Sequence, residues 1–234
     1  MNIRMKFKKH GCMKFIGHLD IMRYFQKAIR RADIDIAYSE GFSPHMIMSF
    51  AAPLGVGLTS EGEYVDLQVN SCESSKAAVE ALNGVMVEGM EVVSFRRLPE
   101  TVKNAMASVA AADYFVKFRD GYAPEGWKEQ FEKFLAQDAM VITKKTKRSE
   151  AEVDLKPMLY QCRIENDEIF MQVACGSVNN LKPELVIEAF GKYSGISLEP
   201  FALEVCRMEV YADLGDEEHK KLVPLEELGE DIEP

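Results

Sequence analysis

The sequence predicts an α+β fold made of two ferredoxin-like (βαββαβ) modules in tandem. Stretches that alternate apolar and polar residues mark strands, and stretches with apolar residues at helical spacing mark helices. The order strand, helix, strand, strand, helix, strand occurs twice along the 234 residues. The halves show no alignable self-similarity, so the repeat rests on element order alone. The predicted modules span residues 1–100 and 106–212, and an acidic tail spans 213–234.

The first module begins with a strand at Ile3–Lys9, where apolar and basic residues alternate. A helix is expected from about His18 to Ala32, because its apolar residues have helical spacing. Its charges also suit the helix dipole, with Asp20 in the first turn and two arginines in the last. The remaining predicted elements are a strand at Met46–Pro53, a loop at Leu54–Glu63, a strand at Tyr64–Asn70, a helix capped by Ser74 and a strand at Met90–Leu98.

The second module is predicted to repeat this order with an added hairpin. Its strands are expected at Ser108–Phe118, Ala139–Lys145, Pro157–Cys175 (a hairpin turning at Asn166-Asp167) and Ala202–Ala212. Its helices are expected after Pro124 and from Pro183 to the glycine stop at Gly195. The basic run Lys144–Glu150 has two open interpretations: a solvated hairpin tip, or a flap that contacts phosphate.

Composition excludes several classes of protein. The five cysteines are scattered without a CxxC pair, which favours reduced thiols in a cytoplasmic protein and excludes cysteine-type iron–sulfur and zinc sites. The longest apolar run, Met46–Leu58, is too short and broken to span a bilayer, so no membrane association is expected. No signal peptide is evident at the N-terminus.

The net charge of −10 is unevenly distributed. Residues 1–50 hold nine lysines and arginines against four acids, whereas residues 213–234 hold nine acids against two lysines. A basic site on an acidic body is compatible with an anionic ligand, although the acidic end can equally be a solubilising extension.

Candidate functional residues concentrate between residues 9 and 66. His18 and Asp20 lie at the start of the first helix, where backbone N–H groups are unpaired and anions bind, and they are the catalytic candidates. Arg23 and Lys27 continue the same side of that helix. The full candidate ligand-binding set is Lys9, His10, His18, Arg23, Lys27, Arg30, Arg31, Ser43, His45, Glu61 and Glu63.

The segment Ser39–His45 is the second constellation, and it presents His45 at the start of a strand. It follows the first helix, so His18 and His45 are expected at opposite ends and need not converge. Glu61 and Glu63 offer carboxylates for pairing with Arg30, with Arg31 or with a ligand amine, although residues of this kind more often stabilise a hairpin loop. No nucleotide, nucleophile or metal motif is present, so we expect no cofactor and no metal.

These motifs resemble a known signature. Lys9-His10-Gly11, Phe15–Asp20, Arg30-Arg31-Ala32, Ser39–His45 and Gly57–Glu63 are similar to the N-terminal pattern of the radical-SAM-linked protein family, a bacterial domain of unknown function found beside or fused to a radical SAM protein. Gly17 stands where that family usually has serine. The resemblance implies a radical SAM partner, and the iron–sulfur chemistry would belong to that partner.

Three functions follow as hypotheses. The leading one is an accessory module that binds RNA, such as tRNA, as the substrate of a separately encoded radical SAM enzyme. The second is an RNA-processing or group-transfer enzyme in which His18 is the general acid or base and Arg23 and Arg31 stabilise charge. The third is a protein-interaction adaptor whose basic patch meets an acidic partner surface.

Overall fold

The computed structural model describes residues 1–145, 150–199, 201–216 and 219–234. It confirms a mixed α+β fold. The chain forms two compact units, Met1–Ala111 with Arg207–Pro234 and Ala112–Cys206. None of the helices in these described ranges is both long enough and apolar enough to cross a membrane. The basic run at 144–150 falls mostly outside the described residues.

The first unit contains the predicted N-terminal elements, which are β1 (Asn2–Lys9), α1 (His18–Arg31), β2 (Met48–Phe50), β3 (Thr59–Gln68), α2 (Ser75–Asn83) and β4 (Met90–Arg97). It also contains a short helix that was not predicted, α3 (Ala105–Ser108). Strand β1 lies between β3 and β4 and is antiparallel to both, and β2 pairs with β3. This is the predicted order of elements, while the ferredoxin-like identity of the modules stays a prediction.

The second unit contains β5 (Val109–Phe118), α4 (Trp127–Leu135), β6 (Val141–Lys145), β7 (Glu150–Asp154), β8 (Leu159–Glu165), β9 (Glu168–Ala174), α5 (Pro183–Ser194) and β10 (Leu203–Asp213), of which β5 and β10 cross the unit boundaries. The strand order is β10-β5-β9-β8, and β6 and β7 form a separate two-stranded sheet. The β8–β9 hairpin turns at Asn166 and Asp167, whose φ angles of 46° and 70° suit a tight hairpin turn.

The core of the first unit positions the candidate site. Strand β1 turns Ile3, Met5 and Phe7 toward α1, whose buried face includes Phe25 and Ile29. The rings of Phe7 and Phe25 are 4.7 Å apart in an edge-on arrangement. Because α1 is fixed along this apolar face, its opposite face is left to solvent.

The C-terminal residues differ from the predicted tail, because they fold as part of the first unit. Strands β11 (Leu222–Pro224) and β12 (Glu230–Asp231) pair with β10 and β4. Leu225 is fully buried, and Arg4 donates to its carbonyl oxygen at 3.3 Å. Glu226 accepts a hydrogen bond from Lys6 at 2.6 Å. One acid of this segment, Glu226, therefore pairs with Lys6 of β1, and Asp231 pairs with Arg96 of β4.

The predicted loop at Leu54–Glu63 is also corrected, since its last five residues, from Thr59, begin β3. Two polar residues of this stretch, Ser60 and Glu63, are buried. Ser60 pairs with Lys9 across the ladder with β1, and the carboxylate of Glu63 is hydrogen-bonded to Arg207. Gly62 is required by space, because a Cβ there would lie 2.8 Å from the carbonyl oxygen of Met208.

Candidate functional site

Lys9 is the last residue of β1, and its side chain is turned toward the core. Successive side chains of a strand alternate between faces, so Lys9 shares its face with Met5 and Phe7. The residue is 3% exposed. Within the described part of the chain, its ammonium group makes no hydrogen bond and no ion pair.

A small cavity adjoins Lys9. Its walls are formed by residues from β1, α1, β2 with the following loop, and β3: Phe7, Lys9, His18, Ile21, Phe50, Pro53, Leu54 and Glu63. The cavity volume is about 20 Å³, which is enough for one group the size of a water molecule. Half-buried His18 and exposed Pro53 are the least buried parts of the lining. We refer to it below as the Lys9 cavity.

Glu63 is held in the wall of the Lys9 cavity by a buried ion pair. Its two carboxylate oxygens lie 3.0 and 3.1 Å from Nη1 of Arg207, which also donates to the carbonyl oxygen of Ala52 at 2.6 Å. Both charged side chains are 6% exposed. Arg207 thus joins β10 to β3 and to the loop after β2, and this fixes the cavity wall.

Burial changes the acid–base properties of both charged lining groups. It lowers the pKa of Lys9; the carboxylate of Glu63 opposes that shift, and the charge of Arg207 adds to it. Burial raises the pKa of Glu63, against the opposing effects of Arg207 and Lys9. Perturbed groups that share a cavity are a feature of functional sites.

His18 begins α1 and closes the Lys9 cavity from the helix side. Its ring packs edge-on against Phe50, with centroids 5.2 Å apart. Neither ring nitrogen has a hydrogen-bond partner among the described residues. Gly17 is the N-cap and supplies no side-chain cap; its carbonyl oxygen accepts from the N–H groups of Asp20 and Ile21, which leaves those of His18 and Leu19 without a partner among the described residues.

The comparisons with known proteins identify a family. Residues 2–183 match the model described as "Uncharacterized protein conserved in bacteria (DUF2344)". The chain belongs to the DUF2344 family. That description names no radical SAM partner. No curated protein matches the chain.

A chain from a crystal structure of a Cbf5–Nop10–Gar1 complex is similar to this DUF2344 chain at 10% sequence identity, with a TM-score of 0.46. The match covers 89% of this chain and 48% of the other, so the DUF2344 chain spans about half the length of that neighbour. A likeness at this TM-score carries no argument about function.

The structure of this DUF2344 chain brings Lys9, His18 and Glu63 together and separates the other candidates. Nε2 of His10 lies 3.0 Å from one carboxylate oxygen of Glu61, and Nζ of Lys8 lies 3.2 Å from the other. The predicted pairing of Glu61 and Glu63 with the arginines that end α1 is therefore wrong, because nearer cations occupy both carboxylates. Asp20 pairs with Arg23 on the exposed surface at 3.1 Å rather than lining the cavity.

The remaining candidates lie at or toward the other end of α1. Lys27, Arg30 and Arg31 are exposed. His45 is exposed and is 2.8 Å from the hydroxyl of Ser39, and Ser43 is exposed in the same loop. A 14-residue helix is about 20 Å long, so this end is remote from His18.

Arg207 and Phe50 were missed from the sequence. The sequence did contain a signal for Arg207, since this residue lies on the same, buried face of β10 as Val205. A cation on the buried face of a strand requires a partner that is also buried. Among the described residues, no group of three histidine, cysteine or carboxylate side chains is placed to hold a metal ion.

Replacing His18 with alanine should lower the melting temperature by no more than about 2–4 °C, because the side chain is half-exposed and loses one aromatic contact. Calorimetry of His18→Ala beside His45→Ala, an exposed control, measures this. A much larger decrease for His18→Ala alone would show that the imidazole is a structural residue.

Proposed function

We propose that this protein is an RNA-binding accessory module that presents substrate to a radical SAM enzyme. The observation that carries the RNA part is the exposed face of α1. Arg23, Lys27 and Arg31 are spaced four residues apart, and Arg30 follows Lys27 by three, which places all four on one side of the helix. We refer to these four residues as the α1 cationic face.

The α1 cationic face is available to phosphate because most of its charge is not used internally. Only Arg23 has an acidic partner among the described residues, and that ion pair with Asp20 is about two-thirds exposed. Exposed ion pairs contribute about 0–1 kcal/mol to stability, so Arg23 can exchange Asp20 for a phosphate with little loss of free energy. Such a row of cations suits the backbone of RNA.

Two exposed aromatic rings flank this helix in the chain. Phe15 precedes α1 and is 65% exposed, while Phe42 lies in the loop after it and is fully exposed. Unpaired bases stack on exposed aromatic side chains, at about 1–3 kcal/mol per base. Cations combined with exposed rings favour single-stranded or looped RNA over duplex.

The proposal of a radical SAM partner depends only on the resemblance of the sequence motifs to the radical-SAM-linked family. A protein that binds RNA and carries no cluster-binding cysteine motif would position substrate, while its partner supplies the iron–sulfur chemistry. We place this activity in the cytoplasm, in agreement with the scattered cysteines.

Arg30→Ala with Arg31→Ala should weaken RNA binding and flatten its salt dependence. Two lost phosphate contacts reduce the slope of log K against log salt by about two units. Purified protein is incubated with total cellular RNA at low and moderate salt, and the retained RNA is sequenced. The slope is then measured on the enriched species.

The matched control is Lys76→Ala with Lys192→Ala, which removes two exposed cations elsewhere and leaves α1 intact. An equal effect from both double variants would mean that net charge alone governs binding. No RNA retention at low salt would refute the RNA proposal, and co-purification with a radical SAM protein would then favour the adaptor hypothesis.

An enzymatic role is the second candidate, favoured by the open His18 ring beside the perturbed Lys9. His18 would act as general acid or base on a bound RNA. Loss of turnover in His18→Ala with RNA binding retained would support this role over presentation of substrate alone.

A further inference from the structure

We propose that the Lys9 cavity binds one oxyanion group, a phosphate or a carboxylate, at the N-terminus of α1. One oxygen enters the cavity and contacts Lys9, while the remaining oxygens meet His18 and the first N–H groups of the helix. This site is separate from the α1 cationic face and does not depend on RNA binding.

The first observation is a buried cation without an acceptor. Lys9 is only 3% exposed, and its side chain lines the cavity. Within the described ranges it has no hydrogen-bond or ion-pair partner. Burying a lysine side chain without a partner for its ammonium group carries a free-energy cost. An acceptor can reach that group through the cavity that Lys9 lines.

Glu63 does not satisfy Lys9. Both of its oxygens contact Arg207, while Lys9 influences the carboxyl group only across a longer distance. The carboxylate of Glu63 is engaged by Arg207, so it does not neutralise Lys9 directly. A cationic side chain in the lining favours an anionic ligand over a cationic one.

The uncapped start of α1 adds to the same preference. Gly17 has no side chain to cap the helix, and its carbonyl oxygen accepts from the N–H groups of Asp20 and Ile21. The N–H groups of His18 and Leu19 have no hydrogen-bond partner among the described residues, and the Asp20 carboxylate pairs with Arg23. Helix N-termini attract anions through their unpaired N–H groups and the helix dipole. His18 adds a ring nitrogen with no protein partner at the open side of the cavity.

The size of the cavity defines how the ligand binds. A volume of about 20 Å³ accepts one oxygen atom and not a whole phosphate. Phe7, Ile21 and Phe50 form apolar walls, and an ion pair in such surroundings is stronger than in water. The body of the ligand therefore lies outside, near Pro53, and only its charged end enters.

The test is a titration of the full chain with inorganic phosphate and, separately, with acetate at constant ionic strength. Backbone amide signals at the end of β1 and in the first turn of α1 are followed by NMR. We expect saturable shifts confined to these residues with one or both probes. Saturation by phosphate alone identifies a phosphate ligand, and saturation by acetate alone identifies a carboxylate.

Lys9→Met should weaken binding at least about tenfold, since a charge-assisted hydrogen bond is lost. His18→Ala is the second variant and should weaken it less. Lys76→Met, which removes an exposed lysine of α2, should bind like the wild type. Arg30→Ala with Arg31→Ala should also bind normally, which separates this site from the proposed RNA surface.

Shifts that rise linearly without saturation, or that persist unchanged in Lys9→Met, would overturn the proposal. A Lys9→Met protein with a native spectrum is required for this comparison, and that outcome is expected because methionine fills the same space. Loss of RNA binding in the α1 variants with oxyanion binding retained would leave this inference standing on its own.

Discussion

Replacing Arg207 with alanine is expected to reduce the free energy of unfolding by about 3–5 kcal/mol, the usual cost of breaking one half of a buried ion pair. Arg207 and Glu63 are both buried, and the truncation leaves the Glu63 carboxyl without its main partner. It also leaves the carbonyl oxygen of Ala52 without a donor. Urea unfolding of the wild type and the variant measures the change.

Two comparisons make this prediction specific. Arg23→Ala breaks an exposed ion pair with Asp20 and should change stability by less than about 1 kcal/mol. The double variant Arg207→Met with Glu63→Leu removes both charges and should recover much of the lost free energy of unfolding, because it leaves no buried charge without a partner. Equal losses for Arg207→Ala and Arg23→Ala would contradict the assignment of Arg207 as a core support.

Local sequence signals predicted the elements that local interactions determine. Helix α1 begins at His18 as expected, because the phase of its apolar residues and the charges at its ends agree. Ser74 caps α2 by accepting a hydrogen bond from the backbone N–H of Ala77. Both features depend on residues a few positions apart, so the sequence carries the information directly.

Pairings between distant residues were not predictable in the same way. Glu63 and Arg207 are far apart in the chain, and no local pattern indicates that β3 and β10 are neighbours. The early part of β3 is polar because it serves this pair and Lys9. A polar, glycine-containing segment was therefore predicted as a loop, although buried charge explains its composition.

The excess of cations near the N-terminus correctly indicated that the region is basic, but it did not show which of these cations are already used in internal ion pairs. Of the cations near the N-terminus, Arg4 and Lys6 are bound to Asp66, Glu209 and Glu226 inside the first unit. The acidic end of the chain supplies one of those carboxylates. Among the described residues, the N-terminal cations without an acidic partner are Lys9 in its cavity, Lys14 beside the ring of Phe15, and the three members of the α1 cationic face other than Arg23.

Lys9→Met is expected to raise the free energy of unfolding by about 1–3 kcal/mol, because it replaces a buried charge that has no partner with an apolar side chain of similar length. Lys76→Met changes an exposed lysine and should have almost no effect. Urea unfolding at neutral pH gives both values. A loss of stability in Lys9→Met would mean that the ammonium group supports the fold.

The pH dependence follows from the pKa of Lys9, which burial lowers below 10.5 in the folded state. As pH rises through the folded pKa toward 10.5, the unfolded chain keeps the proton and the folded chain loses it. The free energy of unfolding of the wild type therefore rises with pH over this interval. The advantage of Lys9→Met should be full at neutral pH and decline at alkaline pH.

A bound oxyanion should also reduce this difference, because a ligand that binds only the folded state stabilises it by an amount that grows with the logarithm of ligand concentration above the Kd. Phosphate or acetate added at neutral pH should raise the melting temperature of the wild type and leave that of Lys9→Met unchanged. If an anion reduces the difference in stability between the wild type and Lys9→Met, Lys9 behaves as a residue that binds an anion. A deficit that no anion changes would contradict that role for Lys9.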